Sequence, residues 1–434
     1  MGMKCIRCET DNNLRDRTAS LGRCKRCGHP FAFEPSTVTD TRFRFTDKFF
    51  AKAITDISDN EALYFTPKQL FYLLERRLSS RLNAASGLYF LYAFANFIAW
   101  IVGNSIFQGL GDSILLSLWL LINIFFIFYS FKSTQNSSLN YRNRKSITNL
   151  LKIIGGLILG IGILVAFQVN SYLLFVITVL IGMLSLYLGF RPLKNKAAPL
   201  LFSESQFQSW VTRWTRANIS MPKMLIYRHE ATASTTVSPD ISAYSFDRAV
   251  ICDNPAIAQM LIANNFHFEN NCAVLSITGY PQSIFDTVMQ MLRRNLDLKV
   301  YALHDASPSG VSLIHQLRTH PDWFQNSNVM IYDLGLRPRQ IFNLRSAFVQ
   351  ASEESVRQAK QLPAEVRQRL SQDELAWLEA GNVVELESFS PRKIIQVLNQ
   401  GIVRSQEAPD RELFSLIDDR YEGEGYIYAV DSFG

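Results

Sequence analysis

The sequence predicts a multi-domain membrane protein in three parts: a small cysteine-held ribbon, four apolar helices and an α/β domain with a mostly parallel, Rossmann-like sheet. Three observations predict it. Two Cys-x-x-Cys pairs stand near the start, residues 87–190 are sparsely charged, and short apolar runs alternate with amphipathic stretches after residue 200. A chain of 434 residues has room for two or three domains. Its net charge of +6 is too modest to mark a nucleic-acid binder by itself. Residues 1–85 hold 15 Lys/Arg against 10 Asp/Glu, which accounts for most of the surplus. Such a surplus suits an anionic partner, either DNA or the headgroups of an inner leaflet.

The first part is residues 1–35. Cys5-Ile6-Arg7-Cys8 and Cys24-Lys25-Arg26-Cys27 each read as a tight knuckle that points two thiolates at one ion, with Gly28 relieving the turn. Together they make a closed four-thiolate site of the zinc-ribbon type, with Zn²⁺ as its structural ion. His29 is a rival ligand, but four thiolates already fill the site. No signal peptide precedes the first pair, so a reducing compartment is expected, where such pairs bind metal rather than form disulfides. A closed site offers no open position for chemistry; the ribbon is expected to be a folding staple and docking surface. Cys252 and Cys272 lie in apolar runs and read as small buried side chains.

Residues 40–85 read as a helical connector. Phe49, Phe50, Ala53, Ile54 and Ile57 share one face of a helix over 45–57. Thr66-Pro67-Lys68-Gln69 is a capping box with proline in the first turn, and Leu70, Phe71, Leu74 and Leu78 form the stripe that follows. Tyr72 falls about 200° around from Leu70, among Lys68, Glu75 and Arg76, which predicts an ordinary surface tyrosine. A pair of such helices also suits a small winged-helix-like module.

Four apolar stretches, 88–106, 113–131, 150–168 and 172–190, fill residues 86–192 and are each close to the ~20 residues needed to span a bilayer. Arg76, Arg77 and Arg81 precede the first, Lys132, Arg142, Arg144 and Lys145 follow the second, and Arg191, Lys194 and Lys196 follow the fourth. The other two turns lack Lys and Arg, so both termini are expected in the cytoplasm of a multi-pass cell-membrane protein. Lys152 is the one Asp, Glu, Lys, Arg or His in the four stretches. That argues against transport or conduction and for an anchor in the lipid bilayer. Gly155, Gly156, Gly160 and Gly162 give the third stretch a small-residue face suited to packing within the bundle or to a homo-oligomer.

Residues 200–402 predict the α/β domain. Strand-like runs at 248–254, 272–280, 299–307 and 328–335 alternate with helical patterns, as in βαβ units. Ligands in such sheets bind at the carboxyl ends of the strands, where Asp253, Asp305 and Asp333 fall. Three carboxylates there would suit Mg²⁺ held against phosphate. Alternatively, Asp253 and Asp305 cap the helices that follow them. Residues 403–434 form an acidic tail with Asp418, Asp419, Glu422 and Glu424. It is expected to be a solvated end, with occupation of a basic surface or docking as a strand through YIYAV as alternatives.

This domain resembles the Toprim domains of the A subunit of topoisomerase VI, the meiotic double-strand-break transesterase and the nuclease subunit of Wadjet plasmid-defence systems. Those domains carry an acid after the first strand and Asp-x-Asp-x-x-Gly after a later one. Here Asp253 stands in the first position, where the family has Glu. Asp305-Ala306-Ser307-Pro308-Ser309-Gly310 matches the motif with Ser307 in place of its second Asp. DLGLRPRQI (333–341) and WLEAGNVVELESFSPRKIIQVL (377–398) are similar to later parts of the same subgroup, so the likeness spans about 240–402. FTPKQLFYLLERR (65–77) resembles the helix that bears the subgroup's nucleophilic tyrosine, with Tyr72 near its place.

The resemblance implies Mg²⁺ at Asp253 and Asp305 and attack by Tyr72 or water. Asp333, read from its strand end, is the residue to compensate for the carboxylate lost at Ser307, and Ser307, Ser309 and Gly310 are the candidate ligand contacts. The loss of one carboxylate predicts a weakened, degenerate site. The expectation is therefore a membrane-anchored scaffold or sensor that binds a protein or nucleic-acid partner. Its alternative is a Mg²⁺-dependent nuclease or strand transferase held at the membrane, serving in defence against foreign DNA.

Overall fold

The computed structural model describes residues 2–33, 45–81, 84–106, 112–135, 141–168, 170–191, 200–218, 221–225, 246–295, 297–342, 344 and 347–407. The chain divides into two compact units, Met1–Arg76 with Leu200–Gly434, and Arg77–Pro199. The predicted acidic tail lies outside the described residues beyond Glu407, where the helix Pro391–Glu407 ends.

In the first unit, strands β1 (Met3–Lys4) and β2 (Asp11–Asn12) pair antiparallel around the cysteine knuckles. Asn13 and Asp16 form a capping box that starts the helix Leu14–Ala19. The exit from this ribbon is tied down by charge and by aromatic packing. Asp47, fully buried on the helix Asp47–Ile57, accepts the Ala32 and Phe33 amides at 2.9 Å each. Phe33 packs on Phe45 and Phe50 at centroid distances of 4.7 and 4.9 Å, and Phe50 meets Trp214 of the helix Glu204–Ala217 at 5.0 Å. Of the predicted apolar face, Phe50, Ala53 and Ile57 are buried, and Phe49 and Ile54 are half-buried.

The helix Pro67–Arg81 starts at its predicted capping box: Thr66 Oγ1 accepts from Gln69 N–H at 3.2 Å, and Gln69 Oε1 accepts from Thr66 N–H at 2.9 Å. Leu70, Phe71, Leu74 and Leu78 are all buried. The residues before it are stitched to the rest of the unit. Phe65 exchanges backbone hydrogen bonds with Lys223 and Leu225, and Tyr64 exchanges two with the Asn264 side chain.

The α/β domain holds a four-stranded parallel sheet of β3 (Arg248–Cys252), β4 (Cys272–Ser276), β5 (Lys299–Leu303) and β6 (Met330–Gly335), ordered β4-β3-β5-β6. The strands begin where their apolar runs predict but end at Cys252, Ser276 and Leu303. The residues beyond those ends are loops, and they carry the site. Ala249, Ile251, Leu275, Val300, Ala302 and Leu317 build the main core with Trp323 and Phe324. Farther along, β7 (Gln350–Ala351) pairs antiparallel with β8 (Asn382–Val383), and Val384 bridges to Ala306.

The second unit contains helices Ala84–Ile106, Asp112–Gln135, Tyr141–Gln168 and Tyr172–Phe190. Among the described residues, two stretches are long and apolar enough to cross a membrane, Asn143–Gln168 and Tyr172–Phe190, where the sequence suggested four. The glycines of the third helix divide by face. A Cβ on Gly155 would lie 2.9 Å from Leu186, and one on Gly162 would lie 2.7 Å from Thr178, so both serve contact with the fourth helix. Gly156 and Gly160 face open space.

Candidate functional site

The strand order places the site. β3 runs out to β4 on one side, and the chain then crosses back to lay β5 on the other side of β3. Open α/β sheets bind ligands at such a reversal, beyond the carboxyl ends of the strands. Asp253 follows β3 directly and Asp305 lies just past β5, so two of the predicted acids meet there. Asp253 Oδ2 accepts the Asp305 backbone N–H at 2.7 Å, and Asp305 Oδ1 accepts the Leu386 N–H at 2.6 Å. Asp253 Oδ1 is buried without a hydrogen-bond partner.

Neither aspartate is a helix cap. Asn254 caps Pro255–Ala263 by accepting the Ala256 N–H at 2.9 Å, and Ser307 caps Pro308–Val311 by accepting the Gly310 N–H at 3.0 Å. Ser307, standing where a second carboxylate was sought, is itself buried and already engaged, with its hydroxyl 3.0 Å from that of exposed Ser309. Gly310 permits a close backbone approach: a Cβ there would lie 2.1 Å from the Asp305 carbonyl oxygen.

Both acids hold protons more tightly than an ordinary carboxylate. Burial pushes Asp253 up to about 6, against the opposing pull of His304 and of backbone amides. Asp305 is raised well above the ordinary carboxylate range, by burial first, then by the Asp253 charge and by Glu385 and Glu387.

Asp333 is placed differently from the expectation. It lies within β6 opposite Ala302 and is consumed by cations: Oδ1 is 3.0 Å from His304 Nε2, and Oδ2 is 2.5 Å from Arg337 Nε. His304 Nδ1 faces the Asp305 carbonyl oxygen at 2.8 Å. A carbonyl only accepts, and the Arg337-held carboxylate also accepts, so both imidazole nitrogens carry protons. Burial opposes that charge, but Asp333 outweighs it and raises the His304 pKa. Burial likewise opposes the Asp333 charge, yet His304 and Arg337 hold that carboxyl well below its usual range. Asp333 thus braces the Asp305 loop through His304 rather than facing the crevice as a third ligand.

Tyr72 departs furthest from the sequence reading. It is 3 % exposed rather than a surface residue. Its hydroxyl donates to Glu385 Oε2 at 2.9 Å and accepts from the Gln350 amide, and its ring packs on Phe348 at 5.3 Å. Burial, followed by the Glu385 charge, drives its pKa upward, so this hydroxyl keeps its proton.

The residues that sequence reasoning missed are the two glutamates in Val384–Phe389. Glu387 accepts from Thr66 Oγ1 at 2.7 Å and from Asn254 Nδ2 at 3.0 Å, and Lys68 Nζ lies 2.9 Å from both oxygens of Glu385. Gln69 and Arg76 donate to the Phe389 and Ser388 carbonyls. The available signal is Glu385-Leu386-Glu387, an acid-x-acid pair just after the short strand β8.

At the N-terminus the four cysteines converge. Among the described residues, Cys5, Cys8, Cys24 and Cys27 are the one group of three or more His, Cys, Asp or Glu whose ligand atoms all lie within 4.8 Å of one another. Asp253, Asp305 and Asp333 do not form a second. Cys5–Cys27 and Cys8–Cys24 Sγ separations are 3.7 and 3.5 Å, against about 3.8 Å for a tetrahedron with Zn–S near ~2.3 Å. Both knuckles have the same form: the Glu9 N–H donates to the Cys5 carbonyl and the Gly28 N–H to the Cys24 carbonyl, each at 2.9 Å, with positive φ at Glu9 and Gly28. The four thiols lie close enough to bind a metal.

Residues 249–402 match the family of Toprim domains found in Spo11 and in the A subunit of topoisomerase 6. No curated protein matches the chain. The match covers about a third of the sequence and coincides with the sheet, the crevice and the Val384–Phe389 segment. With its parallel sheet and its paired aspartates at the strand reversal, this region is a Toprim-like domain.

Proposed function

We propose that this chain is a membrane-anchored protein whose Toprim-like domain engages nucleic-acid phosphodiesters together with a divalent cation. One observation carries the proposal: Asp253 Oδ1 is buried and unpartnered beside Asp305 at the reversal of strand order. A buried carboxylate oxygen without a partner is costly, and a cation removes the cost. Mg²⁺ is commonly held by one or two carboxylates plus substrate phosphate, so the two aspartates present suffice in number. Asp253 and Asp305 would hold it, and the Asp305 and Leu386 amides fix their orientation. When bound, the ion neutralises phosphate charge and orients an attacking oxygen. In this reading the exposed Ser309 would meet a phosphate oxygen.

The other parts of the proposal are a lipid anchor made of the four apolar helices with both termini cytoplasmic, and a structural Zn²⁺ in the cysteine site. The outward Leu164, Leu173 and Leu180 are 67, 73 and 64 % exposed, as lipid-facing side chains would be. A homo-oligomer through the third helix has Gly156 and Gly160 as its free small-residue positions.

A second reading, a scaffold or sensor that binds a protein or nucleic-acid partner without cutting, is favoured by Ser307 and Tyr72. The first gives its hydroxyl to a cap, and the second is locked against Glu385. Nicking of supercoiled plasmid by detergent-solubilised full-length protein with Mg²⁺ or Mn²⁺ separates the two. Nicking lost in Asp305→Ala is the expected result; no nicking with either metal would leave the binding role.

A further inference from the structure

We infer that Lys68 is the chain's own counter-cation for the acid cluster at the strand ends, and that its charge opposes entry of a divalent cation there. The inference rests on the proposal that Asp253 and Asp305 take such an ion.

Four acids gather at the crevice. Asp253 and Asp305 come from the strand ends, and Glu385 and Glu387 flank the Leu386 amide that binds Asp305. The cations of the neighbouring brace are already committed, since His304 and Arg337 share Asp333. Lys68 supplies the compensation from the other side, with Nζ 2.9 Å from Oε1 and from Oε2 of Glu385.

Its position on the helix is the second strand of the inference. The first turn of a helix presents positive backbone charge and favours acids, so a lysine there is electrostatically misplaced unless something compensates it. This first turn contains no acid. Both its dipole and its lysine face the Val384–Phe389 segment, where Thr66, Lys68, Gln69 and Tyr72 all make contacts. The segment is coupled in turn to the Asp305 loop by the Ala306–Val384 bridge and the Leu386 amide. Removing the Lys68 charge alone therefore leaves the four acids without that compensation.

The test is Mn²⁺ binding to the detergent-solubilised full chain, read by electron paramagnetic resonance and counted only where Asp305→Ala abolishes it. Lys68→Met is expected to tighten Asp305-dependent Mn²⁺ binding by at least about tenfold over wild type. Lys68→Arg keeps the charge and should match wild type. Equal affinity in wild type and Lys68→Met, both lost with Asp305→Ala, would overturn the role of Lys68 while Asp253 and Asp305 remain a cation site. A gain in Lys68→Arg equal to that in Lys68→Met would also overturn it, because charge would not be the cause. Absence of Asp305-dependent binding in every variant would mean that the aspartates hold no divalent cation, and both proposals would fall.

Discussion

Glu75 gives the sharpest prediction about stability. It is 1 % exposed on the helix Pro67–Arg81. Oε1 accepts the Leu201 N–H at 3.0 Å, and Oε2 is buried without a partner. Burial raises its pKa from 4.5 to about 7, and the Leu201 and Phe202 amides offset this only in part. A carboxyl raised on folding makes the native state bind more protons than the unfolded one between these two values. Its stabilising share is therefore complete below about 4.5, falls as pH rises, and is lost through about 7. Raising that pKa from 4.5 to about 7 is worth about 3 kcal/mol across the window.

Thermal unfolding of the detergent-solubilised protein, followed by tryptophan fluorescence, reports this, because Trp210 and Trp214 lie on the helix just after Leu201. Asp253 and Glu387 are also raised and tilt the profile the same way, so the difference between wild type and Glu75→Gln isolates Glu75. Glu75→Gln should gain on wild type by about 2.5 kcal/mol between pH 5 and pH 8. Parallel profiles would refute the assignment and mean that water or structural relaxation satisfies Oε2.

Tyr72→Phe should cost about 2 kcal/mol, the worth of a buried hydroxyl bonded to a charged acceptor; loss of a covalent protein–DNA adduct in that variant would make Tyr72 an attacking group instead of a lock. Gly310→Ala drives a Cβ to 2.1 Å from the Asp305 carbonyl oxygen, so it should cost about 3 kcal/mol and lower Mn²⁺ affinity through displacement of that loop, as titration and melting would show. Cys24→Ser should abolish a content of about one zinc per chain measured by elemental analysis, and retention of the metal would exclude the four-thiolate site. Ser307→Asp preserves the N-cap but adds a buried carboxylate to the acid cluster, so it should cost about 1–3 kcal/mol in stability without metal while Mn²⁺ binding tightens; unchanged affinity would show that position 307 does not face the ion.

Much of this was legible because it depends on local pattern. The capping box at Thr66–Gln69, the knuckle spacing and the strand starts at Arg248, Cys272 and Lys299 each follow from a few neighbouring residues. Tyr72 was misread for a physical reason. The helical wheel placed it among Lys68, Glu75 and Arg76, a face that looks solvated because its residues are polar. In the structure those polar groups meet polar partners: Lys68 meets Glu385, Glu75 the Leu201 amide and Arg76 the Ser388 carbonyl. Hydrophobic periodicity detects apolar interfaces and cannot distinguish a polar interface from water.

The same limit explains why Asp333 looked like a ligand. At a strand end, an acid that holds metal and an acid that holds cations read alike, and only the positions of His304 and Arg337 separate them. A division of labour follows. Asn254 and Ser307 satisfy the helix ends, which leaves Asp253 and Asp305 free of that duty. His304, Asp333 and Arg337 fix the loop by charge, which leaves Asp305 Oδ1 to the Leu386 amide. Each neighbour removes a structural task from the aspartates, and what remains is carboxylate with raised proton affinity and a buried, unpartnered oxygen.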